Sequence, residues 1–187
     1  MRLTFLQLPA AERSLYFDKV ALDRRIHSAM VEKDFWVCWL LEILFGHSEF
    51  REALVFKGGT SLSKVFGAIE RFSEDLDLSL SPAFLGIDED EVEHASSRTK
   101  RERWMKRLEE ASATAVRNRI RPALERTIDE ALGSAPDGKA WTEYSHDSIS
   151  HSPVLLFHYP ATQTKGFEYL RRMVKMEFGS LTDQRPV

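Results

Sequence analysis

Two aspartates separated by one residue are the first candidates in this sequence for residues with a chemical role. Residues 75–80 alternate strictly, with Asp75 and Asp77 on one side and leucines on the other. In a strand, residues i and i+2 point to the same side about 6.6 Å apart. Two such carboxylates repel each other, and Mg²⁺, which prefers oxygen ligands, relieves the conflict and can hold the oxygens of a phosphoryl transfer. A solvated strand face shows the same alternation, so both interpretations stay open.

A glycine pair lies upstream, between a short apolar run and a segment with helical periodicity. The turn at Gly58 and Gly59 lets the backbone approach a ligand closely, and a following helix offers N–H groups to a phosphate. The hydroxyls of Thr60 and Ser61 and the charge of Lys64 would add to such a site. It is not a Walker A loop, because no Gly-Lys-Ser/Thr follows at the required spacing. A tight turn with a Ser/Thr helix cap is the alternative.

A further pair of charged side chains comes from the last strand-like segment. Lys175 and Glu177 share one face of this segment. If the strand pairs beside the strand of Asp75, Glu177 becomes a third carboxylate at the metal site. Lys175 would then neutralise phosphate charge or help to deprotonate the acceptor. The alternative is an exposed ion pair between the two side chains.

Two other groups of polar residues bear on phosphate or RNA binding. Arg71 and Ser73, just before the aspartates, would brace a triphosphate or take part in a structural ion pair. Residues 98–126 hold ten basic side chains against four acidic ones, an excess that can track an RNA backbone or form the solvated face of an amphipathic helix. The ten are Arg98, Lys100, Arg101, Arg103, Lys106, Arg107, Arg117, Arg119, Arg121 and Arg126.

Secondary structure must position these groups. Apolar periodicity predicts helix over 31–45, a weaker helical pattern over 10–30, and one long helix, or two separated near Pro122, over 98–132. Proline removes a backbone hydrogen bond and should kink that helix. A further helix is predicted over 60–70, and strands are predicted over 54–57, 75–80, 141–149, 154–159 and 170–178.

The composition excludes several classes of protein. The chain has 187 residues, 43% of them hydrophobic, and a net charge of -3, which fits one globular domain and indicates no overall attraction to nucleic acid. Its single cysteine excludes an internal disulfide and fits a reducing compartment. No stretch approaches the roughly 18 apolar residues of a membrane span, and no zinc-binding spacing is present. We therefore expect a cytoplasmic protein.

Several segments together resemble the AbiEii family, nucleotidyltransferase toxins of abortive-infection toxin–antitoxin systems related to the MenT toxins. The resemblance lies in Glu32–Trp36, Val55–Lys64, Glu70–Leu78, Val154–Pro160 and Val174–Gly179. A Gly-Gly-Thr/Ser turn, a helix and an Asp-x-Asp strand are typical of the DNA-polymerase-β-like nucleotidyltransferase superfamily, and the surrounding residues narrow the match.

The resemblance implies an α+β fold, a nucleotidyltransferase-like mixed sheet flanked by helices, with N-terminal helices and a long helix over about 98–132. It implies an NTP substrate and Mg²⁺. It assigns Gly59, Thr60 and Ser61 to the triphosphate, and Asp75, Asp77 and Glu177 to metal, with Lys175 as the lysine of the next motif. For the MenT relatives it implies nucleotide transfer to the 3′ end of tRNA.

We therefore expect a single domain, with a helical part over 1–50 and a catalytic core over 51–187. Relatives normally continue into a helical C-terminal portion, which we expect this chain to lack. The expected function is metal-dependent transfer of NMP from an NTP to an acceptor, RNA first among them, by a toxin with a cognate antitoxin. The alternatives are a catalytically incomplete module that binds nucleotide or antitoxin, and a nucleotidyltransferase acting on a small molecule.

Overall fold

The N-terminal part folds into two helices. The computed structural model describes residues 5–57, 75–88, 97–162 and 171–179. Helix α1 spans Ala10–Arg24 and ends where Arg25 adopts a left-handed conformation with φ 56°, which returns two N–H groups to the last carbonyls. Helix α2 spans Ser28–Gly46, and the ring of His27 accepts the N–H of Ala29 at its start. The weak pattern over 10–30 therefore contains a helix break, which the apolar spacing did not reveal.

The predicted long helix is present and changes its winding in the middle. Helix α3 spans Arg98–Ala115, a π-helical segment follows at Val116–Ile120, and helix α4 continues over Arg121–Leu132. The N–H of Arg121 donates to the carbonyl of Val116, five residues back. Pro122 has no N–H and its ring crowds the carbonyl four residues earlier, so a widened turn before it relieves both problems. The expected disturbance near Pro122 is this π segment within continuous helix.

Five strands form one mixed sheet. They are β1 Leu54–Lys57, β2 Asp75–Leu80, β3 Thr142–His146, β4 Pro153–Phe157 and β5 Val174–Gly179. The order across the sheet is β1-β2-β5-β4-β3, and only the β2–β5 pair is parallel. All five predicted strands are found, and three of them are shorter than predicted. The α+β class with a mixed sheet and flanking helices is confirmed.

One face of the sheet is the floor of the hydrophobic core. Leu76 and Leu78 of β2 and Met176 and Phe178 of β5 are at most 2% exposed and pack with side chains of α2 and α4. Trp36 of α2 is fully buried, and its ring stacks on that of Tyr159 at 5.7 Å. The alternation that buries the leucines of β2 must therefore turn its aspartates to the opposite face.

Two buried charged residues on α2 secure the chain near β5. The carboxylate of Glu32, which is 1% exposed, accepts the N–H of Thr162 at 2.7 Å. The ammonium of Lys33, also 1% exposed, donates to the carbonyl of Arg171 at 3.2 Å. Buried charges are tolerated when they are hydrogen-bonded, and these two join helix α2 to residues that precede the last strand. Among the described residues, no helix is both long and apolar enough to cross a membrane.

Candidate active site

Strands β2 and β5 bring the predicted charged residues together. In their parallel register Asp75 lies opposite Lys175, and Asp77 lies opposite Glu177. Directly paired residues of neighbouring strands project from the same face. The prediction that the Lys175 strand lies beside the aspartate strand is therefore correct, and four charged groups share the face that points away from the core.

The surroundings of Asp77 in this cluster disfavour its ionisation. The pKa of Asp77 is raised, first by burial and then by the negative charges of Glu177 and Asp75. Lys175 opposes this effect but does not cancel it. A cation near these carboxylates would offset the part of the shift that comes from the negative charges of Glu177 and Asp75.

Lys175 is the centre of an ion-pair network. Its ammonium donates to Glu177 at 2.8 Å and to Asp147 at 3.2 Å, and the hydrogen bond to Glu177 is the largest cause of its raised pKa. The side chains of all three residues are between 22% and 29% exposed. The ion pair between Lys175 and Glu177 that was the alternative to a catalytic role is therefore present, and it lies beside Asp77 on the sheet.

The turn between β3 and β4 adds two residues that the sequence analysis missed. Asp147 contacts Lys175, and the hydroxyl of Ser150 donates to Glu177 at 2.7 Å. Backbone N–H groups of Ser150 and Ile149, together with Lys175, hold the pKa of Asp147 well below its ordinary range. An aspartate followed by serines between two strand-like segments is typical of a side-chain-stabilised turn, but that pattern does not show where the turn folds.

The last residue of β1 lies beside the charged cluster. Lys57 is opposite Asp77 in the antiparallel β1–β2 register and belongs to the same face of the sheet. We did not predict Lys57 as a residue of the site, although it immediately precedes the predicted glycine turn. It lies two strands from Glu177 in the sheet. β1 ends at Lys57 and β2 begins at Asp75, so the chain leaves the sheet and returns to it beside the carboxylates.

The remaining predicted residues either lie outside the described part of the chain or belong to the basic helix. Seven lie outside the described residues, and the proposals for them remain predictions: Gly58, Gly59, Thr60, Ser61, Lys64, Arg71 and Ser73. The π segment and α4, which form the later part of the basic helix, pack on the core face, opposite the cluster. Two of its arginines have structural contacts, since Arg119 pairs with Glu49 at 2.8 Å and Arg121 donates to the carbonyl of Thr142 at 2.9 Å.

The donor set of the cluster suits a hard divalent cation. In the described part of the chain, no three His, Cys, Asp or Glu side chains form a closed metal-binding group. Mg²⁺ does not require such a cage, because it often takes one or two carboxylates and completes its shell with water and substrate phosphates. Asp75 and Asp77 supply oxygen donors of the kind that Mg²⁺ prefers, so the chemistry of these side chains is compatible with such an ion.

Comparison with known proteins identifies the lineage of this site. The family model described as "Nucleotidyl transferase AbiEii toxin, Type IV TA system" matches residues 39–187. The match includes both strands of the charged cluster and the β3–β4 turn, whereas α1 and the Glu32–Trp36 segment precede it. No curated protein and no solved structure matches the chain. With most of its length covered by this model, the chain belongs to the AbiEii family of nucleotidyltransferase toxins.

Proposed function

We propose that this protein transfers a nucleoside monophosphate from an NTP to a hydroxyl group of RNA, with the 3′ end of tRNA as the acceptor, in a reaction that requires Mg²⁺. The toxin would act against the cell's translation machinery and be paired with an antitoxin. The observation that supports this proposal is the parallel register of β2 and β5, which sets Asp77 opposite Glu177 and Asp75 opposite Lys175 on one open face.

The reaction is an in-line displacement at the α-phosphorus of the NTP. The acceptor oxygen forms a bond to phosphorus, the bond between the α-phosphorus and its bridging oxygen breaks, and pyrophosphate leaves. Divalent metal, when bound, withdraws charge from the phosphate oxygens and from the attacking hydroxyl. Asp75 and Asp77 would hold it, and Glu177 would orient the acceptor hydroxyl and receive its proton directly or through water.

Lys175 suits an electrostatic role in this scheme. Carboxylates of Glu177 and Asp147 both contact its ammonium, which keeps the lysine positively charged. A charged lysine stabilises the extra negative charge that develops on phosphate in the transition state. Of the two roles considered from the sequence, charge neutralisation therefore agrees better with the contacts than removal of a proton does. Gly59, Thr60 and Ser61 would bind the leaving phosphates, with Gly58, Lys64, Arg71 and Ser73 around them.

The acceptor assignment rests on the likeness to the MenT toxins and on the basic helix. The π segment and α4 of the basic helix pack on the opposite face of the sheet, so their basic side chains do not line the reaction centre. RNA that contacts this helix would do so with a part distant from the attacking hydroxyl. Lys100, Arg101 and Arg103, all exposed in the first turns of α3, are the residues best placed for such a contact.

Label transfer from each of the four NTPs to tRNA tests the function directly. The full chain is incubated with tRNA, Mg²⁺ and NTP labelled at the α-phosphate, and RNA-bound label is counted. We expect transfer from the wild type, a loss of at least about 100-fold in D75N, D77N and E177Q, and little change in E143Q. Glu143 is a matched control because it is an exposed carboxylate on the edge strand of the same sheet face.

Two results would contradict the proposal. One is the absence of label in RNA with every NTP, and the other is undiminished transfer by D75N. Transfer to a small hydroxylated compound but not to RNA would favour the small-molecule alternative. Removal of metal with a chelator should abolish transfer, and added Mg²⁺ should restore it.

A further inference from the structure

The β3–β4 turn reaches across a strand to touch the charged cluster. β4 lies between β3 and β5 in the sheet, so a contact from this turn to β5 must pass over β4. Ser150 and Asp147 make that crossing, and each contacts a different residue of β5, Glu177 and Lys175 respectively. Val154 of β4, which is opposite Glu177 in the register, is 3% exposed beneath this arrangement. The turn thus forms one wall of the candidate site.

The turn is held in shape by its own hydrogen bonds. One carboxylate oxygen of Asp147 accepts the N–H groups of Ile149 and Ser150, both at 2.9 Å. The backbone N–H of Asp147 donates to the carbonyl of Ser152 at 2.9 Å. The other carboxylate oxygen of Asp147 is the one that contacts Lys175. A single side chain therefore both organises the turn and contacts the lysine of the site.

Resting on the function proposed above, we propose that Asp147 and Ser150 are positioning residues for nucleotidyl transfer. Asp147 holds the ammonium of Lys175 toward the reacting phosphate, and Ser150 holds the carboxylate of Glu177. Partly exposed ion pairs contribute little to stability, so the main consequence of these contacts is orientation. Catalytic groups whose outer partners are removed lose activity because they sample unproductive positions.

Three substitutions separate this role from simple support of the turn. In Asp147→Asn the amide oxygen can still accept the N–H groups of Ile149 and Ser150, whereas one of the two anionic partners of Lys175 is lost. Ser150→Ala removes the donor to Glu177 together with an acceptor of the Ser152 N–H, and Ser150→Thr restores a hydroxyl for both contacts at an exposed position. Ser148→Ala is the matched control, because Ser148 is an exposed serine of the same turn.

Steady-state transfer by the full chain is the first measurement. We expect D147N and S150A each to lower kcat by about 10- to 100-fold with the KM for NTP little changed, S150T to recover most of the loss, and S148A to match the wild type. Unchanged kcat in both D147N and S150A would overturn the proposal, as would a loss in S150T equal to that in S150A.

The mobility of Lys175 gives a second measurement that does not depend on activity. Carbon relaxation at the labelled lysine Cε, assigned with K175R, reports how tightly the side chain is held. The order parameter should fall in D147N and stay unchanged in S148A, and an unchanged value in D147N would overturn the role of Asp147. If the wild type transfers no nucleotide, the proposed function fails, and this measurement alone decides whether the turn positions the lysine.

Discussion

The carboxylate of Asp77 illustrates how a candidate site residue can work against the stability of its own fold. Burial and two neighbouring negative charges raise its pKa, so ionisation costs more in the folded chain than in the unfolded one. Wild-type stability therefore falls as pH rises from the unfolded value through the raised folded value. Sites that need charge for function commonly give up stability in this way.

Replacing Asp77 by asparagine should therefore stabilise the metal-free protein. We expect D77N to raise Tm by roughly 2–4 °C at pH 7.5, the shift that about 1 kcal/mol produces in a chain of this size. The difference from wild type should shrink as pH falls through the raised pKa of folded Asp77 toward its unfolded value. Thermal unfolding in the presence of a chelator measures this, with E143Q as control. A lower Tm for D77N at pH 7.5 would contradict the role assigned to charge repulsion.

Removing the charge of Lys175 should lower the stability of the protein, whereas D77N should raise it. The hydrogen bond to Glu177 raises the folded pKa of Lys175 above its ordinary value of 10.5, so the stabilisation by Lys175 is fully present at neutral pH and is lost as pH rises through the folded value. We expect K175Q to lower Tm by only roughly 1–2 °C at pH 7.5, the shift that about 0.5 kcal/mol produces, and the gap to narrow above about pH 10.5. Circular dichroism melts at both pH values test this, and K175R, which keeps the charge, should lie close to the wild type.

Attachment of the edge strand depends on one glutamate of helix α4. The carboxylate of Glu125 accepts the N–H groups of Trp141 and Thr142 and the hydroxyl of Thr142. Trp141 and Thr142 are only 4% and 2% exposed. Loss of the Glu125 carboxylate therefore leaves these buried donors without their hydrogen-bond acceptor.

We expect E125A to lower the free energy of unfolding by about 1.5–3 kcal/mol, the range for hydrogen bonds to a charged group. Urea denaturation measures the change. E130A, at an exposed position on the same helix, should stay within about 0.5 kcal/mol of the wild type. Equal effects of the two substitutions would show that the contacts of Glu125 do not secure the strand.

Individual elements were predictable from the sequence because their periodicity is local. The alternation over 75–80 and the apolar residues at every fourth position of α2 predicted the ends of these elements to within a few residues. The break at Arg25 was not predictable in this way, because a left-handed residue there leaves the apolar spacing almost unchanged. The reach of Asp147 and Ser150 depends on the path of a turn over a neighbouring strand, which no local pattern encodes.

The pairing of β2 with β5 belongs to a larger scale. Asp77 and Glu177 are 100 positions apart in sequence, and their register results from the packing of the whole sheet against α2 and α4. From periodicity alone, Glu177 was a third carboxylate only if its strand paired with that of Asp75. The resemblance to the AbiEii family assigned it to that role without this condition. The apolar side chains on the core face of the sheet stabilise the fold. The opposite face of β2 and β5 can therefore carry carboxylates, although Glu177 and Asp75 raise the pKa of Asp77.

At the scale of the whole molecule, nucleotide binding should stabilise the fold through this cluster. A ligand at about 100 times its Kd adds about 2.7 kcal/mol, which corresponds to a rise in Tm of roughly 5–10 °C for a domain of this size. We expect this rise in the wild type with Mg²⁺ and at least one NTP, and its loss in the D75N/D77N double variant, each compared with its own ligand-free Tm. E143Q should respond like the wild type. An equal rise in the double variant would place binding elsewhere, whereas a wild-type rise without any label transfer would identify a module that binds nucleotide and does not catalyse.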